Sequence, residues 1–311
     1  MTGTPSLTFL QAYATCLYEI QERFRQQQQQ PNPAASPPYN PSQVFQAGTR
    51  ASTYRVSQGE TTTSFEVGQQ HDIAEYIQFI LDVLHDTAQC QVQFAVVGKV
   101  VDRRDQMMQH AYNQFIQHFQ HHYSFVTDMM TGQYFVQSQT CDNRAPTEHS
   151  ETYDPFTMLT LDIPLTKRQC TLYDCFDLMI APEIIDGWKG EHLSEPRMIE
   201  RKTYLWRLPN VLIIHLKRFK NRVVKNGCCV AITPLLDVSN YCPGDDVQHA
   251  HFELYAVANH EGSLQYGHYY ADCKKSNGKW YRFNDAQVTE CGVGELSGEA
   301  AYVLFYRRVG G

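Results

Sequence analysis

Gly267-His268 and Asn284-Asp285, in "YGHYYADCKKSNGKWYRFND", are the residues of this chain best suited to moving a proton. An imidazole next to an amide or carboxylate is the arrangement of a general base. The imidazole takes a proton from a nucleophile, and the partner accepts its other ring N–H and so fixes the tautomer. The runs on either side of "KKSNG" are rich in aromatic residues and read as the two arms of an antiparallel hairpin. A hairpin of that length can bring Asn284 beside His268, and Gly267 lets backbone or substrate approach closely. A base so oriented waits for a nucleophile, which makes that nucleophile the next question.

Ten cysteines are scattered along the chain, with no Cys-x-x-Cys pair and at too low a density for a disulfide framework. Reduced thiols in a cytoplasmic or nuclear protein are expected. Cys273 lies five residues after His268, where strand alternation turns it away from the site. Cys170, Cys175, Cys228 and Cys229 read as small core or loop residues. The histidines at 110, 118, 121 and 122 read as the wet face of a helix rather than a metal site.

The elements that must hold these groups follow from periodicity. Thr4 and Pro5 are a helix start, and Phe9, Tyr13, Cys16, Ile20 and Phe24 then mark one apolar face. A glutamine run and a proline-rich connector over 26–42 end that helix, and residues 43–68 read as loop with a short helix. "QHDIAEYIQFILDVLHDTAQ" predicts a second helix buried through Ile73, Tyr76, Ile77, Ile80, Leu81 and Leu84. A third is expected over 105–122, with Tyr112, Phe115, Ile116 and Phe119 inside. From about residue 123 strands dominate, with one helix at "LYDCFDLMIAP", so the fold class is α+β. A net charge of −7 and a pI near 6.0 argue against nucleic-acid binding. Neither a membrane span nor a secretory signal is visible.

Several segments together resemble the ubiquitin-specific protease family. "GQQHDIAEYIQFILDVLH" is similar to its Gln-Asp-x-x-Glu-Phe helix. "FTMLTLDIPL" with "TLYDCFDLMIAPE" is similar to its lead into the fingers, and "WRLPNVLIIHLKRF" to its palm strand. "YAVANHEGSLQYGHYYADCKK" with "GKWYRFNDAQVTE" and "AYVLFYRR" is similar to its histidine box and closing strand. The resemblance runs in family order over about residues 69–308. It implies a papain-like ubiquitin-specific protease fold in a single domain, 1–311. Residues 1–122 would be part of a helical thumb, and 123–311 the β-rich fingers and palm.

It also implies site roles. His268 would be the base, Asn284 its orienting residue, and Asp285 an auxiliary near the oxyanion. Asp72 and Glu75, one helical turn apart, would line the channel for the arginine-bearing ubiquitin tail, with His260, Gly267 and Tyr269. Ubiquitin or a ubiquitinated protein is the implied partner. Many members hold a zinc in two Cys-x-x-Cys pairs at the fingertips. Here Cys141 stands at the first position and Arg144 at the second, so no metal or cofactor is expected. The family's Asn-to-Cys box is not found before residue 69. Cys16 is the one cysteine upstream, but it sits on an apolar stripe without the Asn and Gly of an oxyanion hole. The readings left open are a deubiquitinase whose cysteine box lies outside this chain, and a pseudoprotease that binds ubiquitin.

Overall fold

The computed structural model describes residues 7–16, 18–19, 42–58, 64–66, 68–142, 147–190, 195–220, 224–263, 266–296 and 298–310. Thr4, Pro5, Ile20, Phe24, Arg144 and the connector before Ser42 lie outside them. The chain forms two compact units, Met1–Gln89 and Cys90–Gly311.

The first unit is helical. Residues 7–16 are helical (α1), followed by α2 (Ser42–Ser57) and α3 (Ile73–Ala88). Helix α2 spans 16 residues, where a mostly irregular segment was expected. Its polar composition hides Val44, Ala47 and Ala51, which recur at helical spacing and are buried in one cluster with Phe9, Cys16, Phe65, Phe79 and Val83. The face of α3 also differs from expectation: Ala74, Phe79, Leu81 and Val83 are buried, with Tyr76 and Ile80 packed at the edge. Most of this helix is apolar, so spacing alone cannot choose its face. The Phe79 ring, 5.6 Å from Phe9 and 5.2 Å from Phe65, chooses it.

The second unit opens with α4 (Arg103–Phe119), started by a reciprocal cap between Asp102 and Asp105. Ala111 and Phe115 form its buried face, and Tyr112 is exposed, contrary to expectation. Where a strand was expected to begin, Ser124 and Thr127 cap another short helix, α5 (Phe125–Met130). Strands β1 (Gly132–Thr140), β2 (His149–Thr152), β3 (Pro155–Phe156), β4 (Leu159–Asp162) and β5 (Gln169–Thr171) follow. After α6 (Leu172–Ile180) come β6 (Glu183–Trp188), β7 (Arg197–Arg207), β8 (Val211–Lys217), β9 (Phe219–Lys220) and β10 (Val224–Lys225). Then come β11 (Cys229–Ala231), β12 (Leu235–Asp237), β13 (His251–Gly262), β14 (Gly267–Lys274), β15 (Trp280–Asn284), β16 (Gln287–Cys291) and β17 (Ala301–Arg308).

Two sheets organise these strands. A five-stranded sheet runs β2-β1-β7-β6, with β3 also on β1. An eight-stranded sheet runs β16-β15-β14-β13-β17-β8-β4, with β12 on β13. Strand β17 sits near the middle, antiparallel to both β13 and β8. Its Leu304 and Tyr306 are buried with Leu212, Ile214, Leu254 and Phe176 in the main core.

Arg218, just past β8, is wholly buried in that core. Its guanidinium donates to four backbone carbonyls, those of Ala301, Asn226, Cys228 and Gly298, at 2.5–2.9 Å. Burial pulls its pKa down from the usual arginine value. No helix among the described residues is long and apolar enough to cross a membrane.

Candidate active site

The site in the second unit is built by two consecutive hairpins. Strand β13 pairs with β14 so that Glu261 faces His268 and His260 faces Tyr269. Strand β14 then pairs with β15 through Ala271–Phe283 and Asp272–Arg282. This brings His268 Nε2 to 2.6 Å from Asn284 Oδ1. The amide oxygen can only accept, so Nε2 carries the proton and Nδ1 is the nitrogen able to take one. Asp285 follows in a two-residue turn, in left-handed backbone (φ 50°) that Asp tolerates better than most residues. Its carboxylate is 4.0 Å from His268 Nε2 and far more exposed than the imidazole.

Gly267 is explained by His260 rather than by solvent. A Cβ at Gly267 would lie 2.1 Å from His260 Nε2 and 3.0 Å from the Glu261 carbonyl. His260 is 3% exposed and held in an aromatic nest, with the rings of Tyr269, Phe219 and Tyr302 at 4.7, 5.5 and 5.9 Å. Its carbonyl accepts from Lys225 Nζ at 2.6 Å. His260 therefore fixes the backbone on which His268 stands. Phe219 and Tyr302 were missed in the sequence, because only the strand order brings β9 and β17 to β13.

The first unit holds the other expected residues. Asp72 and Glu75 stand one turn apart but in different roles. Asp72 lies before α3 and is its N-cap, accepting from the backbone N–H of Ala74 at 2.7 Å and of Glu75 at 3.3 Å. The short acidic side chain is better used there, where four helix N–H groups need acceptors. Glu75 is exposed in the first turn. Cys16 is buried in the apolar cluster around Phe9, as its place on the stripe predicts.

Three thiols of the second unit are poorly suited to attack. Burial pushes Cys175 up to about 11, which keeps it protonated at neutral pH, and it raises Cys170 and Cys273 as well.

The sequence model of the ubiquitin carboxyl-terminal hydrolase family matches residues 3–306. The chain belongs to this family. Ubiquitin carboxyl-terminal hydrolase 4 of Eremothecium gossypii is 29% identical over 283 residues, covering 82% of this chain and 33% of its own length. Ubiquitin carboxyl-terminal hydrolase 2 of Bos taurus is 30% identical over 257 residues, covering 76% of this chain and 40% of its own length. The chain thus spans well under half of these relatives. A yeast SAGA DUB module structure superposes with a TM-score of 0.55 at 26% identity, over 76% of this chain and 50% of that one. The same module bound to monoubiquitin gives 0.58 at 24%, over 86% and 54%. The fold is that of a ubiquitin-specific protease domain.

In this family member the five-stranded sheet carries an ion pair at its tip. Arg197 Nε donates to Asp142 Oδ2 at 2.6 Å, and a second contact joins Arg197 Nη2 to Asp142 Oδ1. This planar fork links the end of β1 to the start of β7. Cys141 beside it is exposed, and no group of three or more metal-binding side chains occurs among the described residues. Thermal unfolding is expected to be unchanged by EDTA and lowered by Arg197→Met. An EDTA-dependent loss of stability would show that a metal, not this fork, holds the tip.

Proposed function

We propose that this domain supplies the base and orienting amide for thiol hydrolysis of the bond after the C-terminal glycine of ubiquitin, the nucleophilic cysteine lying outside this chain. The observation that carries the reading is the 2.6 Å contact from His268 Nε2 to Asn284 Oδ1. It leaves His268 Nδ1 to take the proton of an incoming thiol. The thiolate then attacks the glycine carbonyl carbon, and the imidazolium returns the proton to the departing amine as the C–N bond breaks. Water, deprotonated by the same imidazole, hydrolyses the thioester and regenerates the thiol. Asn284 keeps the ring in one tautomer throughout, and Asp285 assists near the oxyanion. His260, Gly267 and Tyr269 shape the channel wall for the ubiquitin tail. We place the protein in the cytoplasm or nucleus, with ubiquitin or a ubiquitinated protein as partner and no metal, cofactor, nucleic acid or membrane required.

A second reading has the burial of Cys16 in its favour: a pseudoprotease that binds ubiquitin without cutting. A ubiquitin probe with a C-terminal electrophile tests both readings. This chain is expected to bind ubiquitin and remain unlabelled. Labelling that disappears in Cys16→Ala would make Cys16 the nucleophile after all. Absence of any ubiquitin binding would sink both readings.

A further inference from the structure

Behind His268 and Asn284 the same sheet face carries a second polar group that the proposed chemistry does not use. Asp272 is fully buried, yet it accepts from Asn259 Nδ2 at 2.8 Å, Arg282 Nε at 2.8 Å and Arg282 Nη2 at 3.1 Å, with the Cys291 thiol at 4.0 Å as a weaker fourth donor. Asp272 and Arg282 are direct cross-strand partners. Alternation along a strand puts His268, Tyr270 and Asp272 on one face of β14, and Arg282 and Asn284 on the matching face of β15. The guanidinium lies 4.8 Å over the Tyr270 ring and also donates to the Glu295 carbonyl at 3.3 Å. Tyr270 is itself buried, and burial together with the nearby carboxylate of Glu261, the residue opposite His268, raises its pKa.

Stability alone does not account for this arrangement. Desolvating an ion pair offsets most of its Coulomb attraction, and an apolar cross-strand pair would hold the strands as well. What the fork adds is direction. Two parallel N–H···O contacts fix the guanidinium plane, and that plane fixes the ring stacked on it. Tyr270 stands on its strand between Asp272 and His268. The row leads from the buried carboxylate to a histidine that is itself half exposed.

We propose that Arg282, locked by Asp272, is a positioning residue for the His268–Asn284 pair and acts through Tyr270. This rests on reading that pair as base and orienting amide.

The test is NMR of the 15N-labelled full chain, following exchange of the His268 Nε2 proton with water. The 2.6 Å contact protects that proton in the parent protein. Arg282→Lys keeps the charge beside Asp272 but loses the fork and the flat stack, and is expected to speed exchange about tenfold. The double variant Asp272→Asn with Arg282→Met removes both charges together, so neither is stranded, and should give the same rise with the amide spectrum retained. A purely structural ion pair would lower stability in these variants and leave the proton's exchange alone. Asn284→Ala is the control. If it leaves exchange unchanged, the reading of the pair falls and this inference with it. If it speeds exchange while the folded network variants do not, only the positioning role is overturned. Should one network variant fail to fold, the other decides.

Discussion

Arg218→Met is expected to destabilise the second unit by about 4 kcal/mol, at the severe end of what a single substitution does. The side chain is wholly buried and is the donor for four carbonyls, on Ala301, Asn226, Cys228 and Gly298. Methionine fills much of the volume but donates nothing, so those acceptors stay in the core without it. Each such loss costs about 1–3 kcal/mol, reduced where the backbone can relax. Domains have only about 5–15 kcal/mol in total, so the variant should lose much of its soluble yield at 37 °C. Arg218→Lys keeps one ammonium for four acceptors and should fall between. Urea unfolding of the three proteins checks the order; a methionine variant within 1 kcal/mol of the parent, near the noise of such series, would refute the account.

Gly267→Ala is expected to cost about 2–3 kcal/mol through overpacking. The new Cβ would enter the space of the His260 ring, 2.1 Å from Nε2, and that ring cannot retreat through Tyr269, Phe219 and Tyr302. Either the ring leaves its nest or β14 moves, and His268 is the next residue along β14. Truncating the ring should relieve the clash. The double variant Gly267→Ala with His260→Ala is therefore expected to be less destabilised than the two single losses summed, with a coupling of about 1–2 kcal/mol. Four unfolding curves complete the cycle. Strict additivity would mean that His260 is not what demands a glycine here.

The pairing of His268 with Asn284 could be read from the sequence, because hairpin spacing is a local property and both residues lie in one hairpin. The α+β plan and the strands flanking the site could be read for the same reason. The face of α3 could not, since Ile77 and Leu84 fit helical periodicity as well as Phe79 and Val83 do. Strand β7, "RMIERKTYLWR", is too charged to announce itself, and its partners β1 and β6 are what make it a strand. Asp72 looked like half of an acidic face, but as the residue before the first turn it was also an obvious cap, and the cap is what forms. Arg218 was invisible for a deeper reason. Arginine is normally a surface residue, and the carbonyls that hold it belong to segments up to 83 residues away.

The position of β17 bears on how the chain is made. A ribosome delivers residues in order, and the strand that joins β13 to β8, residues 301–308, emerges after both of them. Until they emerge, the nascent eight-stranded sheet consists of two half-sheets, each with an unpaired inner edge where β17 will enter. Such edges are the surfaces that recruit other strands. The hairpins β13–β14–β15 precede it, but the sheet that holds them is sealed from its centre, by the last of its strands to emerge.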